Sequence, residues 1–520
     1  MTLAAVVCQA QVATNCWTGG ADNDWFNTNN WSLLQAPQAG QAVVIDTNYV
    51  TTSTNVLLTN STAWLYSLEI TNRMLTFSNW NTVLQATNVF IRNGARLTLP
   101  GAFTNNSTSN RISIVCTNFV LDGGGQVDAN GQGFKGNGNG PGGGNLVSGW
   151  GGGGSHGGTG GSASGGSSGG AINGSATDPG PGSGGGGGSG GSGGGAARIW
   201  ATQRILINGL LTANGGAATG DPFGGGSGGG IFINCSYVDG SSTGTVQASG
   251  GSGTNAGRGG NGGGGRIAIN YDAQAQAGQA PGIRLFVAPG VGGYAGGGAK
   301  VGTLFMTDRQ LLSTSIVGTN ANVYGVTNWD HPSLTFTNCN WTLCGPGVNM
   351  VVTNNLVIGT NGFLGVHLEN SRLDCNTLIV TNGGRLTVYS GVTNVSTPDY
   401  GGLVSVTGTV WVGSNSWIYP YSNPTNGGSM LFAIGGLTLA GGANGGIDAA
   451  GLGFTSFCGY GPGSHDSSWW AGGGAHGGKG GKGAQGGAGS TAGGNPYDYT
   501  NAPIHPGSGG TFAGGGLIRV

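Results

Sequence analysis

The densest group of ionisable side chains lies in GVHLENSRLD, residues 365–374. Because side chains alternate between the two faces of a strand, His367 and Glu369 are expected to share one face. Arg372 and Asp374 follow across a predicted turn. An imidazole beside a carboxylate could bind or cleave a polysaccharide, so these four residues are candidate carbohydrate contacts. A solvated, salt-bridged face would explain the same residues without any chemistry.

Cleavage would need more carboxylates than this pattern offers. Glycosidases use two paired carboxylates, and lyases of a polysaccharide backbone add a basic residue that removes a proton. The chain has only two glutamates, Glu69 and Glu369, and Glu69 lies inside a patterned strand where a solvent-facing role is expected. We therefore assign no catalytic residues, and both binding and cleavage of a polysaccharide stay open.

A tryptophan and a histidine recur together in glycine-rich sequence. WGGGGSHGG at 150–158 returns as WAGGGAHGG at 470–478, so Trp150 and His156 are matched by Trp470 and His476 at an offset of 320. One histidine per copy supplies too few ligands for a metal site. These four residues are candidate loop contacts, with Tyr460 and Trp469 nearby, and packing against glycine backbone is the alternative.

Two aspartates are matched by the same repeat. GQVDANGQGF at 125–134 returns as GGIDAAGLGF at 445–454, which pairs Asp128 with Asp448. Calcium is a possible ligand, but the tandem array that would supply several oxygens per ion is absent. An aspartate beside a glycine turn commonly bonds its own backbone as an Asx turn, and we predict no bound cofactor.

Composition excludes several classes of protein. Glycine supplies 119 of 520 residues, only 7% are charged and the net charge is −1. Without a basic stripe to neutralise phosphates, nucleic acid is not an expected partner. No apolar run approaches the roughly 18 residues of a membrane-spanning helix. The pattern favours an elongated fold with a Thr, Asn, Ser and Gly surface.

Short strands around tight Asn/Gly turns recur along the chain. VFIRNGARLTL (89–99), LVIGTNGFLGV (356–366) and LIVTNGGRLTV (378–388) share this form. Such a unit cannot bury its apolar face alone, whereas stacked copies bury a continuous column of Val, Ile and Leu. The sequence therefore predicts an all-β fold, a right-handed parallel β-helix (solenoid) with long glycine-rich insertions. The right-handedness is an inference, because the hand of the helix is not readable from the sequence.

The glycine tract at 136–195 has almost no apolar side chains to bury. Ordering glycine is entropically costly, about 1–2 kcal/mol per residue. Two alternatives follow: a mobile loop, or an array of extended glycine helices joined through their backbones, for which only glycine allows close packing.

The predicted order along the chain begins with a signal-peptide remnant at 1–13, in which Cys8 and Ala10 fit a cleavage site. Residues 14–66 form a cap containing Trp17, Trp25 and Trp31, with a sugar-binding platform as the alternative role of these rings. A first β-helix module follows at 67–326 and a second, truncated at its C-terminus, at 327–520. Cys339 and Cys344 could close a small disulfide loop or act as buried apolar side chains.

The motif series GxIDAxGxGF, GPG and GGGxHGGxGG, followed by GGGxIxI strands, resembles large secreted bacterial glycine-rich proteins with pectin-lyase-like β-helices. Residues 17–99 also resemble the start of a G8 or autotransporter-associated β-strand region. The resemblance implies a secreted or cell-surface location and a structural or adhesive role, with cell-surface or matrix components as partners. A carbohydrate-binding or carbohydrate-cleaving protein is the alternative, since pectin-lyase-like helices include lyases and glycosidases.

Overall fold

The computed structural model describes thirteen segments of the chain, which are residues 12–49, 55–107, 109–254, 258–279, 281–294, 297–312, 315–317, 319–345, 347–393, 399–465, 471–485, 488–498 and 503–520. The predicted signal-peptide residues Cys8 and Ala10, and the candidate contacts Trp469 and Trp470, lie outside these residues. The chain divides into two compact units, Met1–Leu311 and Leu312–Val520.

The first unit is built from short strands with one four-residue helix, α1, at Ala273–Gln276. Its strands are β1 Thr14–Cys16, β2 Ala42–Ile45, β3 Asn55–Leu58, β4 Leu65–Ile70, β5 Met74–Phe77, β6 Leu84–Ile91, β7 Arg96–Thr98, β8 Ile112–Leu121, β9 Gln126–Asp128, β10 Leu146–Val147, β11 Trp150–Gly151, β12 Ala196–Ala201, β13 Arg204–Ile207, β14 Leu210–Thr212, β15 Gly230–Asn234, β16 Tyr237–Asp239, β17 Thr245–Gln247, β18 Arg266–Asn270, β19 Arg284–Phe286 and β20 Thr303–Met306. Short 3-10 turns lie at Thr28–Asn30 and Arg309–Leu311.

These strands pair in parallel between successive coils. One sheet runs β1, β2, β4, β6 and β8; β8 then pairs with β12 and β13, and β12 continues to β15, β18 and β20. The other sheet runs β3, β5, β7, β9, β14, β17 and β19. From β2 to β9 the chain passes back and forth between the two sheets, and each strand pairs in parallel with a strand of the next coil, which is the connectivity of a parallel β-helix.

Stacked apolar rows form the core of this unit. One inward row, buried on every coil, consists of Leu84, Ile114, Ile199, Ile233, Ile269 and Met306. A facing row in the second sheet begins at Val56, Leu75 and Leu97. Each fully buried side chain contributes roughly 1.5–3 kcal/mol, so repetition of the row, rather than any single residue, holds the coils together.

The second unit repeats this plan. Its strands are β21 Ser315–Val317, β22 Asn320–Tyr324, β23 Asn328–His331, β24 Leu334–Thr337, β25 Asn340–Leu343, β26 Asn349–Ile358, β27 Phe363–Leu368, β28 Arg372–Val380, β29 Arg385–Ser390, β30 Gly402–Val412, β31 Trp417–Tyr421, β32 Met430–Leu439, β33 Gly446–Ile447, β34 Gly483–Gln485 and β35 Ala488–Thr491, with a 3-10 turn at Gly442–Asn444.

Two parallel sheets again share the coils of the second unit. One runs β22, β25, β27, β29, β31 and β33, and the other runs β21, β24, β26, β28, β30 and β32. The long strands β26, β28 and β30 each contain a register shift, for example between Val352 and Asn355. Such a bulge bends a strand and lets it serve two sides of the coil.

Asparagine occupies corners where the backbone is left-handed. Asn361, Asn382 and Asn415 all have φ between 48° and 56°. Asparagine tolerates this conformation better than most residues, which explains the recurrent Thr-Asn and Asn-Gly turns. Turns of neighbouring coils lie close together. A Cβ added at Gly94, for example, would lie 2.0 Å from the side-chain oxygen of Asn72 in the preceding coil.

The three N-terminal tryptophans pack into one another. Trp31 lies 5.1 Å from Trp17 and 5.0 Å from Trp25 between ring centroids, both in edge-to-face contact. All three are at most 1% exposed, and the indole of Trp31 donates to the Trp25 carbonyl. This burial leaves no ring face for a sugar, so the platform alternative is wrong.

The glycine tract of the first unit is an ordered array. We define the first glycine array as residues 133–195 together with 213–230, 248–254, 258–265 and 297–302. Its backbone bonds recur at every third residue: the amides of Gly158 and Gly161 donate to the carbonyls of Gly264 and Asn261, and those of Gly182 and Gly185 to Gly194 and Gly191. Three residues per turn without internal hydrogen bonds is the period of the polyproline II helix.

Close approach of these segments explains why glycine is required. A Cβ added at Gly153 would lie 1.8 Å from the carbonyl oxygen of Asn261, and one added at Gly229 would lie 2.0 Å from that of Gly195. No real side chain tolerates either distance. Of the two alternatives that the sequence left open for residues 136–195, the packed array is therefore the correct one.

The second glycine array, which we define as residues 453–465, 471–485, 488–498 and 503–516, repeats hydrogen bonds of the first at an offset of 320. In the first array the amides of Gly153 and His156 donate to the carbonyls of Gly161 and Gly158; in the second array those of Gly473 and His476 donate to Gly481 and Gly478. The repeat seen in the sequence is thus a repeat of hydrogen bonds.

The predicted all-β parallel β-helix is confirmed, while its right-handedness stays a prediction. The seven described cysteines are free thiols, so Cys339 and Cys344 form no disulfide loop and the buried apolar alternative holds for Cys339. Within the described residues, no helix is long and apolar enough to cross a bilayer.

Candidate functional site

A depression with aromatic walls lies in the second unit. We call it the aromatic groove and define it by its lining, which is His367, Glu369, Tyr389, Ser390, Tyr421, Ser422, Asn423, Pro424, Gly451, Leu452, Gly453, Thr455 and Ala513. Its volume is about 440 Å³. That size falls in the range of small-molecule sites, about 300–1,000 Å³.

Parallel pairing of three coils aligns the rings of the groove. His367 on β27 is in register with Tyr389 on β29, and Tyr389 with Tyr421 on β31. The imidazole stacks on Tyr389 with centroids 4.4 Å apart and planes 18° apart, and Tyr389 lies 5.0 Å from Tyr421. The spacing is close to the distance between strands of a sheet, about 4.8 Å, so the backbone ladder sets the ring stack.

Tyr421 is the last ring of the row and is 37% exposed. Facing it are Gly451, Leu452 and Gly453, where the chain leaves the coil and enters the second glycine array. A slot between a tyrosine ring and closely packed backbone suits a flat, partly apolar ligand such as a sugar ring.

One imidazole and one carboxylate lie at the other end of the groove. His367 Nδ1 is 4.0 Å from Glu369 Oε1, and both side chains are partly exposed. Burial lowers the pKa of His367, and the neighbouring Glu369 carboxylate opposes the shift only in part. The imidazole is therefore neutral at pH 7 and can donate or accept a single hydrogen bond.

Arg372 and Asp374 do not join this site. They lie on β28 in the other sheet, beyond the turn at Asn370, and line a separate depression with Val351 and Ser405. The Arg372 guanidinium Nε is 2.5 Å from Asp374 Oδ2. Asp374 thus holds the pKa of Arg372 above its usual value, and the pair neutralises itself. Of the four predicted contacts, the structure brings His367 and Glu369 together and leaves the other two apart.

Trp150 and His156 are packed into the first glycine array. A Cβ added at Gly165 would lie 2.2 Å from the ring of Trp150, so the glycine tract closes over this indole. His156 is 1% exposed, and its Nδ1 lies 3.2 Å and 3.3 Å from the carbonyl oxygens of Gly228 and Gly229. Carbonyls only accept, so Nδ1 carries the proton.

Arg266 lies beneath this histidine. Its guanidinium donates to the carbonyls of His156 and Asn173 and to Thr303 Oγ1. Burial, with a smaller contribution from the Arg266 charge, lowers the pKa of His156 to about 3. A neutral, enclosed imidazole cannot contact a partner, so His156 is a packing residue.

His476 has a different partner set. Its Nε2 lies 3.1 Å from Oδ2 of Asp498, a carboxylate that is 2% exposed and also accepts from the amides of Ile504 and His505. His505 Nδ1 lies 3.4 Å from the other carboxylate oxygen. Tyr460 and Tyr497 pack around both histidines, and Tyr460 is 58% exposed. Asp498 thus organises a small turn at the surface of the second array.

Asp128 and Asp448 both form the predicted Asx turns. Asp128 Oδ1 accepts from the amide of Asn130, and its other oxygen is 2.5 Å from Arg96 Nη2. Asp448 Oδ1 accepts from the amide of Ala450. Among the residues that the structure describes, no group of three acidic, histidine or cysteine side chains could hold a metal ion.

Tyr389 and Tyr421 are the groove residues that sequence reasoning missed. Their signal was present, because LTVYS at 386–390 and WIYPY at 417–421 place a tyrosine at the position that His367 takes in its own coil. Only the register of the coils shows that the three rings stack.

Comparison of the chain with protein-family models, with curated proteins and with solved structures finds no significant match in any of the three.

Proposed function

We propose that this chain is an extracellular structural and adhesive protein of a cell surface or matrix. The observation that carries the proposal is the period-three backbone bonding of the glycine arrays on the β-helix coils. A unit built in this way offers few flexible segments to a protease, because its glycine tracts are hydrogen-bonded and enclosed. Its low charge permits close stacking of identical coils without repulsion.

A retention assay tests this role. Beads coated with the chain would be passed over insoluble polysaccharide and matrix-protein surfaces under flow, before and after treatment with a broad-specificity protease. We expect retention on at least one surface, and we expect it to survive the treatment. Retention on no surface, or loss of retention while residues 136–195 are cut, would contradict the proposal.

Hydrogen exchange gives an independent test of the scaffold. Amides of the first array, such as Gly158, Gly161 and Gly182, donate to buried carbonyls and should exchange over hours rather than seconds. Complete exchange within seconds across 151–195 would exclude an array that holds its shape in solution.

Carbohydrate binding at the aromatic groove is a second candidate function. The observation that favours it is the aligned row His367, Tyr389 and Tyr421, which ends in a partly exposed tyrosine. Binding is favoured over cleavage because, among the described residues that line the groove, Glu369 is the sole carboxylate. A glycosidase would need a second one within about 5–10 Å.

Binding of soluble oligosaccharides to the wild-type chain and to Tyr421→Ala separates this candidate from the structural role. Loss of binding in the variant, with unchanged unfolding, would support the groove. Equal binding by both chains would place any sugar contact elsewhere.

A further inference from the structure

The aromatic groove contains an acidic side chain that no lysine or arginine among its described lining residues balances. Glu369 presents a carboxylate that is 47% exposed, and its nearest described basic group is His367, 4.0 Å away. No lysine or arginine occurs among the described lining residues. The closest arginine in sequence, Arg372, is held by Asp374 in a separate depression.

The imidazole does not cancel this charge. Burial lowers the pKa of His367, so its ring is neutral around pH 7 and Glu369 gives the groove a net negative charge. A ligand with carboxylates would meet this charge without any compensating cation, which is unfavourable at short range.

The rings of the groove favour the opposite charge. The face of a tyrosine is electron-rich and attracts an ammonium group within about 6 Å of its centre. Tyr421 is the partly exposed ring of the row, and Tyr389 links it to the His367 end of the groove, where Glu369 lies. Tyr421 and Glu369 line the same groove two coils apart, so an oligosaccharide could rest one ring on Tyr421 and place a protonated amine of another unit beside the Glu369 carboxylate.

We propose that the aromatic groove selects sugar units that carry a free, protonated amino group, and that it discriminates against uronic acids. This inference rests on the carbohydrate-binding candidate stated above. It assigns Glu369 as the residue that determines selectivity and Tyr421 as the platform that binds every sugar.

The test compares three oligosaccharides of equal length with the full chain by calorimetry at about pH 7 in low salt, where His367 is neutral and an amine that titrates like an α-amino group is protonated. These are a glucosamine oligomer, its N-acetylated form, and an oligogalacturonate. We expect the glucosamine oligomer to bind about tenfold more tightly than the neutral oligomer, and the acidic oligomer to bind most weakly.

Three variants separate the contributions of Glu369 and Tyr421. Glu369→Gln should bring the amino and neutral sugars to within about twofold of each other, because only the charge is removed. Tyr421→Ala should abolish binding of all three, whereas Tyr421→Phe keeps the ring and should retain it. Arg372→Ala is the matched control, since it lies outside the groove and should change nothing.

The failures are distinguishable. If the acidic oligomer binds as well as glucosamine, or if Glu369→Gln leaves the ratio unchanged, the selectivity is wrong while carbohydrate binding stands. If no oligomer binds, or if Tyr421→Ala binds all three like the wild type, the carbohydrate function of the groove fails and this inference fails with it.

Discussion

The two glycine arrays start from the same motif and share the same hydrogen bonds, yet they enclose it differently. In the first, a Cβ at Gly157 would lie 2.1 Å from the carbonyl oxygen of Gly265, and one at Gly158 would lie 2.2 Å from that of Lys300. In the second, a Cβ at the equivalent Gly477 or Gly478 would meet nothing within 4 Å. Segments 259–265 and 297–302 close the first array at this point.

The histidines show the consequence of that closure. His156 lies under the closing segments, bonded to backbone carbonyls and neutral. The His476 side chain is 35% exposed and bonds the Asp498 carboxylate. Within the residues that the structure describes, the same motif thus gives a packing residue at His156 and a member of a surface cluster at His476.

The largest predicted difference between the two arrays is in the free energy of unfolding when one glycine of the shared motif is replaced by alanine, which adds a methyl group. Gly158→Ala would force its Cβ against two carbonyl oxygens, at 2.2 Å and 2.4 Å, whereas Gly478→Ala enters open space. We expect the first to lower the free energy of unfolding of its unit by about 3 kcal/mol or more and the second to change it by less than about 0.5 kcal/mol.

Urea unfolding followed by hydrogen exchange in each unit measures the difference. Gly188→Ala is a control within the first array, because a Cβ there would also meet nothing within 4 Å. Equal losses for Gly158→Ala and Gly478→Ala would show that the two arrays are closed alike, against the geometry described above.

Acid should weaken the first array through His156. The pKa of this histidine falls from 6.5 to about 3 on folding, so below pH 6.5 the unfolded chain takes up a proton that the folded chain does not. Stability that is present above pH 6.5 is then lost as the pH falls, by roughly 2 kcal/mol between about pH 7 and pH 5. His156→Gln should remove this part of the pH dependence in urea titrations, and an unchanged slope would contradict a buried, neutral histidine.

A smaller and local effect is expected at Asp498. Asp498→Asn keeps the size of the side chain but replaces the charge that pairs with His476, and one oxygen must still serve the amides of Ile504 and His505. We expect a loss of about 1–2 kcal/mol, seen as faster exchange of these two amides while Gly158 stays protected. Unchanged exchange at Ile504 and His505 would mean that the carboxylate does not hold this turn.

Sequence periodicity predicted the β-helix because its evidence is local. Alternating Val, Ile and Leu with Thr and Asn specifies a half-buried strand, and stacking then follows from the need to bury that face. Whether the glycine tracts form an ordered structure could not be predicted in the same way. Their enclosure depends on carbonyls more than a hundred residues away, such as that of Asn261 beside Gly153 and that of Lys300 beside Gly158.

Only part of the aromatic groove could be predicted from the sequence, and the reason is related. Period two placed His367 and Glu369 together correctly, but it could not show that the turn at Asn370 carries Arg372 and Asp374 onto another sheet. Tyr389 and Tyr421 were missed because their alignment requires the coil lengths, which differ along the chain. Register between distant coils is a tertiary property.

The backbone-only interior of the glycine arrays has a thermal consequence. Unfolding of apolar cores raises the heat capacity, whereas exposure of polar peptide groups lowers it. The arrays contain many peptide groups and few apolar side chains, so their unfolding should show a much smaller heat-capacity change than that of the Val, Ile and Leu rows beneath them. Cooling weakens hydrophobic burial but leaves peptide hydrogen bonds intact. The arrays should therefore hold their shape in the cold better than the coils that carry them.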